Sequence, residues 1–165
     1  MRRNMWCVNV IAALLLTALV LLVIKWPDKN KLIGDELDTH IYIFNIYHLL
    51  TVTEDGENYV GKFNPNQYFD DRFCFKYDEE SKAYSISTEY DDKTLYLAVT
   101  DDGEFELTEN FSLAECMWRV VRNGNTMYYS IVNTASDCAL LRLDDGRAFV
   151  MPYDENNTAM YLRFE

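Results

Sequence analysis

Imidazole is nearly missing from this chain. Its two histidines, His40 and His48, have neither another histidine nor a cysteine at ligand spacing, which removes the pattern that a zinc site needs. Also absent are a glycine-rich phosphate loop, a Gly-x-Ser-x-Gly elbow and a Ser-x-x-Lys pair. Without them there is no sequence sign of a phosphate cradle or an activated hydroxyl. No catalytic, metal-ligating or cofactor-binding residue is therefore assigned, no cofactor is expected, and the chain reads as a protein that is not an enzyme.

Positive charge is scarce as well. Fifteen basic residues stand against 27 acidic ones, and three of the basic ones, Arg2, Arg3 and Lys25, flank an N-terminal apolar run. The rest of the chain has 12 against 27, a net charge of −15. Such a field repels phosphate backbones, heparin-like polyanions and anionic lipid surfaces. Neither nucleic acid nor a heparin-like chain is an expected partner.

What is present first is a long apolar segment. Residues 5–24 contain only Asn9 and Thr17 as clearly polar side chains, and about 20 apolar residues in a helix span a bilayer core. Lys25, Trp26 and Pro27 close the segment with a charge, an interfacial aromatic and a helix stop. A cleaved signal peptide is the alternative, but Leu21-Leu22-Val23-Ile24 offers no small-x-small cleavage site. The reading is an uncleaved anchor over residues 1–25 in a single-pass membrane protein, followed by a linker over residues 26–40. The charge balance around the segment leans toward a domain outside the cytosol.

Beyond residue 40 the chain repeats itself. Leu50, Leu97 and Leu140 each lie six residues before the glycine of an acidic turn, Glu54-Asp55-Gly56, Asp101-Asp102-Gly103 and Asp144-Asp145-Gly146. Val60, Leu107 and Val150 follow each glycine by four. An upstream echo, Tyr42-Ile43-Phe44, Tyr84-Ser85-Ile86 and Tyr129-Ser130-Ile131, opens each copy. Self-similarity at this period means one supersecondary unit laid down three times. Alternation at Leu95, Leu97 and Val99 marks half-buried strands, and an acidic pair with glycine between alternating runs marks a hairpin. With an aromatic strand ending each copy, a unit holds about four strands.

The predicted fold is all-β: a β-trefoil-like pseudo-threefold barrel over residues 41–165, preceded by the single N-terminal transmembrane helix. Its repeats run over about 41–83, 84–127 and 128–165, and the rival is an ordinary β-sandwich. Twelve tyrosines and nine phenylalanines, all from residue 42 onward, supply a core. Leu50, Leu97, Leu140, Phe75, Trp118 and Tyr161 are its expected centre.

Four cysteines are present, and Cys7 falls inside the apolar run. Cys74, Cys116 and Cys138 allow one disulfide and one free thiol, with the pairing open, or read equally well as buried unpaired thiols. Cys74 and Cys116 close the first two repeats, where they would face a common interior. Asn110-Phe111-Ser112 and Asn156-Asn157-Thr158 fit the N-glycosylation pattern, which matters only in a secretory lumen. Asp55, Asp102 and Asp145 could place carboxylates near calcium or a sugar hydroxyl, although a calcium site needs six to eight converging oxygens.

Three resemblances follow from short strings. Ser112-Leu113-Ala114-Glu115-Cys116-Met117-Trp118 looks like a strand of the fibroblast growth factors, whose basic heparin patch a −15 domain lacks. R-type lectins carry Gln-x-Trp in each repeat, where this chain has Cys116-x-Trp118. Across the whole length, the anchor and the acidic aromatic β region are similar to the per os infectivity factor four family. These are the conserved 19 kDa occlusion-derived virion envelope proteins of baculoviruses and nudiviruses. The strings that carry the likeness are Phe63-Asn64-Pro65-Asn66-x-Tyr68-Phe69, Arg72-Phe73-Cys74-Phe75-Lys76-Tyr77 and Ala114-Glu115-Cys116-Met117-Trp118-Arg119.

That resemblance implies a viral envelope protein acting with other viral envelope proteins in a multi-protein complex needed for oral infection of insect midgut cells. It implies residence in the virion envelope and, during infection, in host intracellular or nuclear membranes. It brings no catalytic residues. The alternative is a membrane-anchored or secreted β-trefoil lectin or cytokine-like binding module.

Overall fold

The computed structural model describes residues 31–44, 48–56, 58–65 and 70–165. The anchor expected over residues 1–25, with Cys7, lies outside the described residues, as do residues 26–30 of the linker and 66–69 of the aromatic string. Among the described residues no helix is long and apolar enough to cross a membrane.

The chain forms β1 (Glu36–Thr39), β2 (Ile41–Ile43), β3 (Leu49–Asp55), β4 (Asn58–Asn64), β5 (Phe73–Asp78), β6 (Ala83–Tyr90) and β7 (Lys93–Val99). It continues through β8 (Phe105–Thr108), β9 (Met117–Arg122), β10 (Tyr129–Asn133), β11 (Cys138–Arg142), β12 (Ala148–Pro152) and β13 (Leu162–Phe164). The one helical element among the described residues is a 3-10 turn, Thr158–Met160. All pairings are antiparallel.

β1 and β2 are one strand interrupted at His40. The first half pairs β5 and the second pairs β13. The ring then closes through β5–β6, β6–β9, β9–β10 and β10–β13, which leaves the barrel no open edge. Three hairpins, β3–β4, β7–β8 and β11–β12, cap one end. The turns at 79–82 and 123–128 mark the other end, where the chain arrives: Lys31 Nζ meets Glu79 Oε1 at 3.1 Å and the Tyr77 N–H donates to Asp35 O at 2.8 Å. Ring plus three capping hairpins is an all-β, β-trefoil-like architecture.

The threefold pattern is physical. Leu50, Leu97 and Leu140 are each fully buried and face Phe63, Leu107 and Val150 across their hairpins. One level further out the facing pairs are Val52 with Gly61, Val99 with Phe105, and Arg142 with Ala148. The second and third hairpins then turn identically. Thr100 N–H donates to Glu104 O and Gly103 N–H to Thr100 O; Leu143 N–H donates to Arg147 O and Gly146 N–H to Leu143 O. Gly103 and Gly146 have φ of +80° and +92°, the left-handed position of a three-residue hairpin loop closed by a bulge.

The first hairpin departs from this. Its ladder runs on through Thr53–Val60, Glu54–Tyr59 and Asp55–Asn58 before Gly56 turns it. Phe63, not Val60, is therefore the counterpart of Leu107 and Val150. Counting from the glycine misplaces it, because the three additional residues lie between the turn and the core.

Phe75 and Trp118 are fully buried, and the indole N–H of Trp118 donates to Leu97 O at 2.9 Å. Tyr161 is the exception among the expected core residues. It closes the 3-10 turn half-buried at the rim, its hydroxyl donating to Glu155 O at 2.8 Å, and the fully buried Leu162 takes the interior place. A tyrosine hydroxyl needs a partner when buried, and the rim supplies one.

Candidate functional site

Each acidic turn sits at the tip of its own hairpin. Asp55, Asp102 and Asp145 are exposed, and among the described residues no group of three histidines, cysteines or carboxylates converges as a metal site. Asp145 shows what such a residue does locally. It accepts the Arg147 N–H at 3.0 Å and Nε–H at 2.7 Å. The backbone bond, then the side-chain one, holds its carboxyl below the usual carboxylate range.

The lengthening of the first hairpin creates a recess. Where β4 runs beyond its symmetry level it meets β8 at Tyr59–Leu107, and a cleft of about 580 Å³ opens between residues 58–60 and 104–110. Glu104, Glu106 and Glu109 line it. Lys93 reaches in from β7, donating to Tyr59 Oη at 2.7 Å and Glu109 Oε1 at 2.8 Å while lying 5.2 Å from the Tyr59 ring centroid. Glu109 and then Tyr59 raise the Lys93 pKa above the usual lysine range. Tyr59 also meets Tyr90 edge-on at 5.8 Å.

Glu106 is different from its neighbours. Burial, then repulsion from Glu115, raises its carboxyl pKa, so its charge is held at a cost. The cleft thus combines hydrogen-bond acceptors, one already neutralised cation and an aromatic wall. Sequence reasoning missed it, and the one signal that could have found it was the first period, 47 residues against 43.

The three cysteines are free and lie apart in the fold. Cys74 alternates with the fully buried Phe73 and Phe75 and so faces outward, its Sγ 3.6 Å from Glu36 Oε1. Cys116 is buried ahead of β9, where its Sγ accepts the Ser112 N–H at 3.4 Å. Cys138 opens β11, half-buried. Strand alternation therefore denies Cys74 and Cys116 a common interior. Burial raises both thiol pKa values, which disfavours the reactive thiolate. Asn110 and Asn156 stand exposed in turns, with the Asn156 N–H on Asp154 Oδ1 at 2.9 Å.

No protein-family model and no curated protein matches the chain. Among solved structures, the designed threefold-symmetric protein ThreeFoil is similar over 77% of this chain and 96% of its own, at 15% identity and a TM-score of 0.60. The BEL beta-trefoil is similar over 78% of this chain and 92% of its own, at 14% identity and a TM-score of 0.60. The lysenin pore is similar over 78% of this chain but only 45% of its own, at 13% identity and a TM-score of 0.56, so this chain spans less than half the length of that one. At these identities the likeness shows the fold: this is a β-trefoil-like chain.

Proposed function

We propose that the chain is a membrane-anchored, non-enzymatic envelope protein of an insect DNA virus. In this reading it binds other envelope proteins in a multi-protein complex through which the virion enters midgut cells. The whole-chain resemblance supplies the biological setting. The observation that carries the reading is where the chain enters the domain: residue 31 arrives beside the 79–82 turn, at the end opposite the three capping hairpins. A domain tethered through residues 1–30 therefore presents its hairpin cap, with the acidic cleft, away from the bilayer and toward partners.

The test is purification of the tagged full chain from virion membranes in mild detergent, beside deletion of its gene. Co-purification of other envelope proteins and loss of oral infectivity are expected. Recovery free of other envelope proteins, with wild-type oral infectivity after deletion, overturns the proposal. Chelator-sensitive retention on a glycan array would point instead to the lectin alternative, and a mature mass lacking the anchor to the secreted, cytokine-like one.

A further inference from the structure

Each capping hairpin packs its tip against the base of the next. Tyr59, near the tip of the first, pairs with Leu107 on the second. Glu104 and Phe105 of the second line one recess with Ala148 and Phe149 of the third. The third returns to the first, where the Phe63 N–H donates to Gly146 O at 2.7 Å and Lys62 bridges Arg147. Strand alternation puts the residues two before and two after each central leucine on the same face as that leucine, the first at the base and the second toward the tip. The base positions are His48, Leu95 and Cys138, and the tip positions are Val52, Val99 and Arg142. Val52, Leu95 and Val99 belong to the buried core, and Cys138 packs against it. Two junctions of tip and base thus match valine with leucine and valine with cysteine, whereas the third matches Arg142 with His48.

Neither polar group finds its complement at that junction. Arg142 Nε and His48 Nδ1 are buried without a hydrogen-bond partner, and Arg142 Nη2 reaches the Asp144 carbonyl only at a long 3.5 Å. Although acidic side chains outnumber basic ones 27 to 15, no carboxylate among the described residues lies at ion-pair distance from Arg142. Burial, then the Arg142 charge, lowers the His48 pKa, so the imidazole is neutral at pH 7. An unmatched buried N–H is rarer in proteins than an unmatched buried acceptor. Nδ1 therefore keeps its lone pair, and Nε2 carries the proton outward. Both residues are half-buried: their covered atoms fix them in place, while the guanidinium edge and the imidazole Nε2–H remain as donors toward solvent. A part-buried arginine without a counter-charge costs stability, and the two sister junctions show that the fold is met without one.

We propose that the junction between the third tip and the first base is an oxyanion site, and that its ligand is a carboxylate held between the Arg142 guanidinium and the Nε2–H of His48. Charge selects this ligand. One guanidinium beside a neutral imidazole supplies a single positive charge, which a monoanion balances, whereas a phosphate dianion leaves a negative excess that the acidic domain repels. Geometry agrees, because the planar donor fork of arginine fits the two oxygens of a carboxylate. The inference is independent of the viral reading.

The test follows both histidine rings by NMR of the full chain in detergent at pH 7.5, with ring-labelled histidine. Acetate probes a small carboxylate, and glutamate blocked as its N-acetyl amide probes a protein side chain. A saturable shift of the His48 signal and a rise in the His48 pKa are expected with acetate. The His40 ring, whose nitrogens already meet Glu165 O and Asp70 Oδ1 at 2.9 Å, is the internal control and should not move. Arg142→Val installs the residue that the first two copies carry and should weaken binding by at least about tenfold, the loss of a charge-assisted hydrogen bond. Arg142→Gln runs alongside in case the valine variant misfolds. A response to acetate alone assigns the site to a small solute, and a response to both probes admits the side chain of a partner protein. The proposal is overturned by an equal shift with chloride at matched ionic strength, by tighter binding of phosphate than of acetate, by no saturable response to either carboxylate, or by unchanged binding in the arginine variants.

Discussion

Gly61, Phe105 and Ala148 occupy the same place in the three hairpins and meet near the pseudo-threefold axis, so a single added methyl group there tests the packing. A Cβ built on Gly61 lies 2.9 Å from Phe105 Cε1, 3.1 Å from Ala148 Cβ and 3.2 Å from Leu50 Cδ1. In an open strand, Gly→Ala gains about 0.5–1 kcal/mol from the lower entropy of the unfolded chain. At this axis the methyl comes inside ordinary contact distance of three side chains, and such overpacking costs about 1–3 kcal/mol. Overpacking outweighs the gain, and Gly61→Ala is expected to lose about 0–2.5 kcal/mol. The assay is urea unfolding of the full chain in detergent, followed by tryptophan fluorescence.

The decisive arm repeats the substitution in a Phe105→Ala background. With the tightest of the three contacts gone, Ala148 Cβ at 3.1 Å and Leu50 Cδ1 at 3.2 Å still crowd the methyl, so its cost shrinks without vanishing, a coupling of about 1 kcal/mol between neighbouring sites. Equal losses in both backgrounds, or a gain from Gly61→Ala alone, would refute the claim that three side chains compete for one space.

Three further outcomes rest on single residues. Asp91 and Asp92 form the β6–β7 turn with φ of +49° and +60°, left-handed positions that strand twist favours but a Cβ does not. Asp92→Gly is expected to raise the urea midpoint by about 1 kcal/mol equivalent. Trp118→Phe removes the donor to Leu97 O and should cost about 1–3 kcal/mol for the unpaired carbonyl alone, read by thermal unfolding. Glu106 has a raised pKa, so the native state binds its proton more tightly than the unfolded chain does. Its penalty is absent below the unfolded value, about 4.3, and complete above the native one. Glu106→Gln should therefore be more stable than wild type at pH 7.5 and indistinguishable near pH 3.5, and a gain persisting at the lower pH would exclude ionisation as the cause.

What the sequence disclosed was whatever the three copies share. Leu50, Leu97 and Leu140 repeat because the barrel needs one large apolar side chain at each symmetry-matched level, and glycine recurs because left-handed backbone closes each turn. The class of fold followed from those two constraints. What stayed hidden was what the copies do not share. The longer ladder of the first hairpin conserves the Leu-to-Gly spacing while moving the turn outward, so Val60 looked equivalent to Leu107 when Phe63 is. Tyr161 kept the interval that Trp118 keeps from its leucine, but the 3-10 turn at Thr158–Met160 shifts the phase by one residue and sends Leu162 inward. Cys74 failed for a related reason: its place at the end of a repeat was legible, whereas its face depends on strand phase, set by Phe73 and Phe75.

The same division separates folding from function. A feature found in all three hairpins is explained by the fold, and only a difference between them calls for another cause. Two differences stand out, the acidic cleft made by the longer first hairpin and the apolar strip of the third, and both belong to the cap that faces away from the chain's arrival at Lys31. They draw on opposite chemistry, so one partner surface does not satisfy both. If the cleft receives another protein, its carboxylates matter to that capture and the strip, exposed at Phe149 and Met151, does not. Glu106→Gln with Glu109→Gln should then weaken capture of envelope proteins, and Phe149→Thr with Met151→Thr should leave it unchanged, both read by co-purification with the tagged full chain. Equal loss of capture from either pair would mean that the cap works as one surface and that the hairpins have not diverged into separate roles.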